Sequence, residues 1–302
     1  MKVRAALVAV CGLAAVGVTT IPASAVTPVV LVASPASEGG PAASTTFLAW
    51  TRVAHDFSAR VRAEAIGGSS FRVSAEGADA FTGGIDGSTL VYDQGGDIAL
   101  FDLSTKTAMS VPDGVNTKAY ERALGISGTH ILISRISRHN RYSVVLFDTS
   151  TETSLVLYSH EDTRRKIAFL QGGQLSGNYA VWDQYVFSRY DYATIRCDVT
   201  VYDVAASTST KVPNPDKRCQ SGPAVSADGT LYFDRAGHDC GQHARIIKQP
   251  LGEAGSVLYS LPNGHDYGGA VAVDNGDGTT DVYFDPMDCV RRNDDIWMLP
   301  GA

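Results

Sequence analysis

A short sequence unit that recurs along the chain constrains the fold more than any other feature. Each copy has a turn rich in Gly, Asp and Ser next to three apolar residues of the type found in strands. The apolar segments begin 41 to 51 residues apart, at 48–50, 90–92, 131–133, 180–182, 231–233 and 282–284. This spacing is typical of four-stranded propeller blades, so the repeat predicts six of them.

Each unit also supplies the other strands that a blade needs. A second apolar segment follows a variable loop, as at 98–101 and 144–147, and a tight turn then leads to a third, as at 155–158. The segment before each glycine turn would be the innermost strand. No long segment has the apolar periodicity of a helix, so the sequence predicts an all-β, six-bladed β-propeller of four-stranded blades.

The two ends of the chain are predicted to complete one blade together. The sixth unit ends at Ala302, directly after its third strand, and the segment 29–32 (Val-Val-Leu-Val) is similar to the outer strands of the other units. Pairing the two ends closes the ring and covers an edge that would otherwise favour aggregation.

One repeat carries a resemblance to a known family. The segment 225–233, Val-Ser-Ala-Asp-Gly-Thr-Leu-Tyr-Phe, resembles the Ser-Pro-Asp-Gly repeat of TolB-like propellers, with Ala227 in the place of the usual proline. The resemblance covers residues 26–302 and implies one propeller domain with a binding role. We expect the propeller only, without the small α/β domain that precedes it in TolB itself.

The first 25 residues predict export. Lys2 and Arg4 precede an apolar run over 5–18, and Ala23-Ser24-Ala25 has the small residues of a signal-peptide cleavage site. We therefore expect cleavage near Ala25 and a secreted, extracellular protein. The apolar run is shorter than the roughly 20 residues of a membrane helix, and no other segment approaches that length, so no membrane span is expected.

The charge of the chain narrows the choice of partner. The net charge is −7 at pH 7, and removal of residues 1–25 takes away two cations and no acid. An acidic surface of this kind disfavours nucleic acid. A protein or a glycan is the expected partner, and the propeller is expected to be monomeric.

Four cysteines remain after cleavage, which is an even number in a protein expected in an oxidising compartment. Their spacing fits no zinc motif. Because Cys197 and Cys219 flank the outer half of one blade and its link, and Cys240 and Cys289 occupy corresponding loops of neighbouring blades, we predict the disulfides Cys197–Cys219 and Cys240–Cys289.

The long loops are predicted to share one side of the disc, which we call the loop face. This side carries the connections between second and third strands and the links between blades, whereas short turns occupy the opposite turn face. The long segments are 52–60, 113–124, 134–143, 159–173, 184–196, 235–245, 262–269 and 286–294. Loops on a rigid scaffold are where binding usually resides, although propeller loops can also be merely solvated and polar.

Histidines and aromatic residues of the loop face are the candidate ligand-binding residues. Three His-Asp pairs could bind a divalent metal or act in acid–base chemistry, or could be surface residues. The loop 184–192 is rich in Tyr and Arg, which are enriched in interfaces, but it could equally pack on itself. The candidates are His55, Asp56, Tyr185, Arg189, Tyr190, Tyr192, His238, Asp239, His243, His265 and Asp266.

Two acidic patterns allow two interpretations each. Asp93, Asp183, Asp234 and Asp285 end equivalent strands, where they could serve a shared hydrogen-bonding role or form a carboxylate ring at the channel mouth. The segment 274–281 is similar to a calcium loop, but it lacks the first ligand because Val273 stands there, and a hairpin turn is the favoured interpretation.

The sequence therefore predicts a non-catalytic binding propeller that needs no cofactor. The alternative is an extracellular metal-dependent hydrolase or lyase that uses the same face. Against the alternative, the chain has no Gly-x-Ser-x-Gly nucleophile elbow and no complete metal motif.

Overall fold

The computed structural model describes residues 26–34, 36–137, 141–163, 166–170, 172–188, 194–215, 217–236, 244–288 and 294–302. These residues form 25 strands in six antiparallel sheets and contain no helix. The predicted all-β, six-bladed propeller is confirmed.

The first three blades follow one another along the chain, each with its innermost strand first. Blade 1 contains β2 (Ser37–Ala43), β3 (Phe47–Val53), β4 (Ala59–Ala65) and β5 (Phe71–Arg72). Blade 2 contains β6 (Ala80–Asp86), β7 (Thr89–Gln94), β8 (Asp97–Asp102) and β9 (Thr107–Met109). Blade 3 contains β10 (Tyr120–Ser127), β11 (His130–Ile136), β12 (Arg141–Asp148) and β13 (Thr153–Glu161).

Blades 4 and 5 keep this order. In blade 4 the innermost position is divided between β14 (Lys166–Phe169) and β15 (Gly173–Ser176), which both pair with β16 (Tyr179–Ser188), and β17 (Thr194–Asp203) and β18 (Thr208–Lys211) follow. Blade 5 contains β19 (Cys219–Val225), β20 (Leu231–Ala236), β21 (Arg245–Gln249) and β22 (Ser256–Ser260).

Blade 6 joins the two ends of the described chain. Its strands are β23 (His265–Asp274), β24 (Thr280–Asp288), β25 (Ile296–Leu299) and β1 (Val29–Val32). Val29 pairs with Met298 and Val30 with Trp297 in an antiparallel register. The predicted closure of the ring by an N-terminal strand is confirmed.

Apolar side chains fill the spaces between neighbouring blades. Between blades 2 and 3, for example, Val91 of β7 packs in one cluster with Ile131 and Phe147 of blade 3. Trp50 and Trp182 are both 1% exposed and belong to two of these clusters. Burial of this surface provides the main driving force for stacking the sheets around the ring.

The innermost strands are irregular at corresponding places. The register shifts between Gly39 and Ala42 in blade 1, and at equivalent points in blades 2, 3, 5 and 6, while blade 4 has the break between β14 and β15. Bulges of this kind leave backbone groups outside the sheet ladder. The six irregularities encircle the central channel and supply the groups that form its wall.

A disulfide joins Cys197 of β17 to Cys219 of β19, with the two Cα atoms 4.9 Å apart. This confirms one of the two predicted bridges. Cys240 and Cys289 lie outside the described residues, so the second bridge remains a prediction.

Removal of the Cys197–Cys219 bridge should destabilise the fold. The bridge closes a loop with a sequence separation of 22 residues, and loops of this size contribute about 3 kcal/mol through the entropy of the unfolded chain. We expect the double variant Cys197→Ala, Cys219→Ala to have a free energy of unfolding about 3 kcal/mol lower and therefore a lower urea midpoint. Equal midpoints for the variant and the oxidised wild type would contradict this expectation.

Candidate functional site at the centre of the loop face

Six buried polar residues occupy one structural position, the point where each second strand passes the bulge of its blade. They are Thr51, Asp93, Ser134, Asp183, Asp234 and Asp285, and none is more than 7% exposed. The sequence pattern had shown four of them. The other two blades have hydroxyl side chains in the same place.

Several of these side chains accept hydrogen bonds from backbone amides that the bulges leave free. Asp183 Oδ1 accepts from Gly172 N of its own blade at 2.9 Å, and its Oδ2 accepts from Gly222 N of blade 5 at 3.0 Å. Asp285 Oδ2 accepts from Gly40 N of blade 1 at 3.0 Å. In blade 1, Thr51 Oγ1 accepts from Thr82 N of blade 2 at 3.0 Å.

The shared hydrogen-bonding role is therefore the better of the two interpretations of the strand-end aspartates. Asp234 fits the same role within its own blade, since its Oδ1 accepts from Arg245 N of β21 at 2.9 Å. These four side chains, Thr51, Asp183, Asp234 and Asp285, satisfy amides that would be costly to bury unpaired. The hydrogen bonds of Thr51, Asp183 and Asp285 join neighbouring blades.

Asp93 and Asp285 both have pKa values well above the usual range of an aspartate. Burial raises the pKa of Asp93 to about 7, against a smaller lowering by the Arg122 guanidinium. Burial likewise raises the pKa of Asp285 to about 7, and repulsion from Asp294 contributes in the same direction, whereas the Gly40 amide lowers it. Both carboxyls are thus poised between the neutral and the charged form near neutral pH.

The channel widens into a cavity of about 290 Å³ in its loop-face half. Backbone and small residues at the bulges form most of the wall, including Gly40, Gly83, Gly173, Gly222 and Gly269. Ser37, Thr51, Thr82, Arg122, Asp285 and Asp294 contribute polar side chains. The cavity has the mixed lining of a small-ligand site and a volume near the lower end of the ~300–1,000 Å³ range of such sites.

A second cavity of about 270 Å³ occupies the turn-face half of the channel. Gln174 belongs to its wall and bridges three blades. Its Nε2 donates to Ala272 O at 2.7 Å, and its Oε1 accepts from Val225 N at 2.9 Å and from Ala272 N at 3.0 Å. Gln174 therefore ties blades 4, 5 and 6 together at the channel.

Acidic side chains concentrate where blade 6 meets blade 1, in a group that we call the acidic corner. Its members are Glu38, Asp285, Asp288, Asp294 and Asp295. Repulsion from Asp295 and Asp288 adds to burial in raising the pKa of Asp294. Burial and the nearby Glu38 raise the pKa of Asp295, whereas the charge of His265 lowers it. Arg52 forms an ion pair with Glu38 at 2.6 Å. The corner favours a positive charge.

No protein-family model and no curated protein matches the sequence. Solved structures do match the fold. A protein assigned as TolB from Agrobacterium tumefaciens has a TM-score of 0.55 and 15% identity, over 76% of this chain and 82% of that one. TolB from Acinetobacter baumannii has a TM-score of 0.53 and 14% identity.

The chain has the TolB-like six-bladed propeller fold. It matches TolB from Acinetobacter baumannii over 85% of its own length and spans 64% of that protein. An oligogalacturonate lyase in complex with manganese is also similar, with a TM-score of 0.52 and 10% identity over 85% of this chain and 86% of the lyase. At these identities the likeness concerns the fold alone.

An exposed aromatic residue stands on the loop face of this TolB-like propeller, in the tight turn between β3 and β4. Phe57 is 83% exposed and has a φ of 63°, a conformation that costs a non-glycine residue about 1–2 kcal/mol. Ala54 N donates to Ser58 O, and Phe57 N donates to Ala54 O, both at 2.9 Å. The turn thus holds Phe57 outward in a strained backbone conformation.

The candidate residues His55 and Asp56 lie in the same turn and are exposed. Asp56 Oδ1 accepts from Ser58 N at 3.1 Å and from Ser58 Oγ at 2.7 Å, so this carboxylate shapes the turn. The neighbouring blade 6 carries the candidates His265 and Asp266 at the start of β23. Within the described residues no hydrogen bond joins the two His-Asp pairs.

His265 is partly buried, with its ring centroid 6.4 Å from that of Trp297. Asp266 Oδ1 accepts from Tyr267 N at 2.9 Å. These contacts anchor the beginning of β23 beside the acidic corner. They leave both side chains near the loop-face opening of the channel, so their predicted part in ligand binding stays a prediction.

The structure corrects the predicted loop around Tyr185. The segment 184–188 is not loop but the end of β16, where Tyr185 to Ser188 pair with β14. The alternation of apolar residues in Gln-Tyr-Val-Phe-Ser suits a longer strand. Tyr185 stacks on Phe187 with ring centroids 5.8 Å apart, and burial together with Asp183 raises its pKa above the usual range.

The remaining candidates lie outside the described residues. They are Arg189, Tyr190, Tyr192, His238, Asp239 and His243.

Two observations bear on metals. Among the described residues, no group of three or more His, Cys, Asp or Glu side chains is arranged to hold a metal ion. The segment 274–281 forms a hairpin turn in which Asn275 N donates to Thr279 O at 3.0 Å and Asp277 Oδ1 accepts from Thr279 N at 2.9 Å. The favoured hairpin interpretation of that segment is confirmed.

Sequence reasoning missed Phe57 and the cavity residues Ser37, Arg122 and Asp294. Phe57 directly follows a candidate pair, but nothing in the sequence shows that it is exposed. Paired glycines recur before the second strands, at 39–40, 83–84, 172–173 and 268–269. They were the available sequence signal for the bulges that form the cavity.

Within the described residues no helix is long and apolar enough to cross a membrane.

Proposed function

We propose that the chain is an exported, non-catalytic binding propeller that recognises a protein or glycan partner on its loop face. The observation that carries the proposal is Phe57, which is held outward at 83% exposure by a turn whose backbone is strained at that residue. Strained residues persist where the surroundings enforce them, often at binding sites. An ordered exposed aromatic residue offers a large contact area at low entropic cost.

Two of the strand-end aspartates serve the scaffold of the channel wall. Asp183 is engaged by two backbone amides and Asp234 by one, which makes them parts of the scaffold. The likeness to a lyase concerns the fold alone. The proposed role needs no cofactor.

The proposal of export is supported by two features. The first 25 residues have the order of a signal peptide, and the Cys197–Cys219 disulfide suits an oxidising compartment. Intact-mass measurement of the protein from culture medium should find a chain that begins near Val26. Retention of an intact Met1 terminus inside the cells would contradict export.

Replacement of Phe57 by glycine should separate binding from stability. Glycine adopts a φ of 63° without the steric cost that Phe57 bears, so the variant should be at least as stable as the wild type. Loss of the aromatic ring should nevertheless reduce the partner recovered with the protein from culture by about tenfold or more. Thermal unfolding and quantitative co-purification check the two expectations together.

The matched control is Leu251→Ser, which removes an exposed apolar side chain from the turn face. It should leave partner recovery unchanged. Equal amounts of co-purified partner with the wild type and with Phe57→Gly would contradict the proposed use of the loop face. A loss of partner with Leu251→Ser alone would also contradict it.

A further inference from the structure

We infer that the loop-face cavity binds the free amino group of an amino acid or of a peptide N-terminus, with its ammonium on Asp285 and Asp294 and its adjoining carboxylate or carbonyl on Arg122. The inference rests on the proposed function, because it names a ligand chemistry for the centre of the proposed binding face.

Asp285 provides a buried acceptor that is fixed in place. The residue is 7% exposed and lines the cavity. Its Oδ2 accepts from Gly40 N, the nearby Gly269 amide lowers its pKa, and its Oδ1 has no donor in hydrogen-bonding geometry in the described part of the chain. A Cβ on Gly268 would lie 2.6 Å from this carboxyl, so the glycine wall fits closely around it. An unsatisfied buried oxygen of this kind is unusual unless a ligand or ion completes it.

Asp294 provides a second acceptor in the same cavity. Its Oδ2 accepts from Ser37 Oγ at 2.7 Å, and its Oδ1 likewise has no donor among the described residues. An ammonium group has three donors and no acceptor. Two fixed carboxyl groups with one free oxygen each therefore suit an ammonium.

The charge around the two residues favours a cation. Both belong to the acidic corner, in which Arg52 pairs with Glu38, and repulsion from Asp294 helps to raise the pKa of Asp285. A bound positive charge would relieve that repulsion. Two acceptors suffice for an ammonium, whereas the described residues offer no three-ligand arrangement for a metal.

Arg122 provides a positive charge on the wall of the cavity opposite blade 6. It lines the cavity from blade 3, which stands opposite blade 6 in a ring of six. Its guanidinium lies 5.2 Å from the centre of the Phe81 ring and is near enough to Asp93 to lower the pKa of that carboxyl, but no ion pair of Arg122 occurs within the described ranges. Arginine suits carboxylate and carbonyl acceptors. A cavity of about 290 Å³ with an acidic and a basic wall therefore selects a compact zwitterion or dipole.

The test uses the purified mature protein and four small probes, with binding measured by calorimetry and by thermal shift. Glycine represents a free amino acid and glycylglycinamide a peptide N-terminus. N-acetylglycinamide lacks the ammonium, and methylamine lacks the acceptor. We expect glycine or glycylglycinamide to bind and raise the melting temperature, and the better of the two identifies the source of the amino group. N-acetylglycinamide should bind about tenfold or more weakly.

Variants assign the two poles. Asp294→Asn can still accept from Ser37 Oγ but loses the charge, and it should weaken every amine probe by about tenfold or more. Arg122→Gln should weaken glycine and glycylglycinamide and leave methylamine unchanged. Glu253→Gln, an exposed acid of the turn face, is the matched control and should change nothing.

Three results would overturn the inference: equal binding of the acetylated probe, unchanged binding by Asp294→Asn, or binding of calcium chloride that depends on Asp294 while the amines fail to bind. A failure here is distinct from failure of the proposed function. If only the amino-group site were wrong, Phe57→Gly would still recover less partner than the wild type.

Discussion

Raising the pH from 4 to 8 should lower the free energy of unfolding by several kcal/mol. Asp93 is fully buried and Asp285 is 7% exposed, and burial raises the pKa of each from 3.8 to about 7. Between pH 3.8 and about 7, each pH unit lowers the free energy of unfolding by about 1.4 kcal/mol per carboxyl. Across that interval each carboxyl therefore lowers it by about 4 kcal/mol. Against total stabilities of about 5–15 kcal/mol, this is a large effect.

The sign follows from proton binding. Between pH 3.8 and about 7 the folded protein holds a proton on each carboxyl that the unfolded chain has released, so stability falls as the pH rises. Asp102 and Asp148 act in the opposite direction at lower pH. Hydrogen bonds from Ser104 and Ser150 lower their pKa values to about 2, and their contribution is lost as the pH falls below 3.8. Stability should therefore be greatest near pH 4.

Urea unfolding at pH 4, 5, 6, 7 and 8 measures this dependence. Asp93→Asn should remove about half of the decline, because the amide cannot ionise. Asp97→Asn, an exposed position in the same blade, is the control and should follow the wild-type curve. A wild-type stability that is flat or rises between pH 4 and 7 would show that these carboxyls are not protonated in the folded protein.

Gln174→Leu should destabilise the propeller by about 3 kcal/mol or more. Gln174 is 7% exposed and satisfies three backbone groups on blades 5 and 6, Val225 N, Ala272 N and Ala272 O. Each buried group left without a partner costs about 1–3 kcal/mol. Leucine has a similar volume, so lost hydrogen bonds rather than lost packing determine the effect.

Gln94→Leu is the matched control for this variant. Gln94 accepts one hydrogen bond at the surface, from Ala75 N at 3.0 Å, and its loss should cost about 1 kcal/mol or less. Equal urea midpoints for the two variants would contradict the bridging role of Gln174.

The repeat in the sequence was sufficient to predict the architecture. Strand positions such as Leu231–Phe233 and the closing strand Val29–Val32 follow from apolar segments at a regular period, since that period leaves few alternatives. The Cys197–Cys219 bridge could be predicted because the blade order brings its two segments together. These features depend on patterns that are local or periodic.

The candidate site was harder to predict because it depends on geometry across the ring. Asp285 receives its hydrogen bond from Gly40, which is 245 residues away, and Asp294 receives one from Ser37 across 257 residues. No local pattern reports such pairs. The loop proposed around Tyr185 was wrong at 184–188 because the extra pairing with β14 extends the strand.

The most direct test of the central claim is photo-crosslinking in cells that make the protein, with benzoylphenylalanine in place of Phe57 on the loop face or of Leu251 on the turn face. The account predicts a specific crosslinked product from position 57 and none from position 251. A product from position 251 alone would contradict the claim that this propeller binds its partner through the loop face.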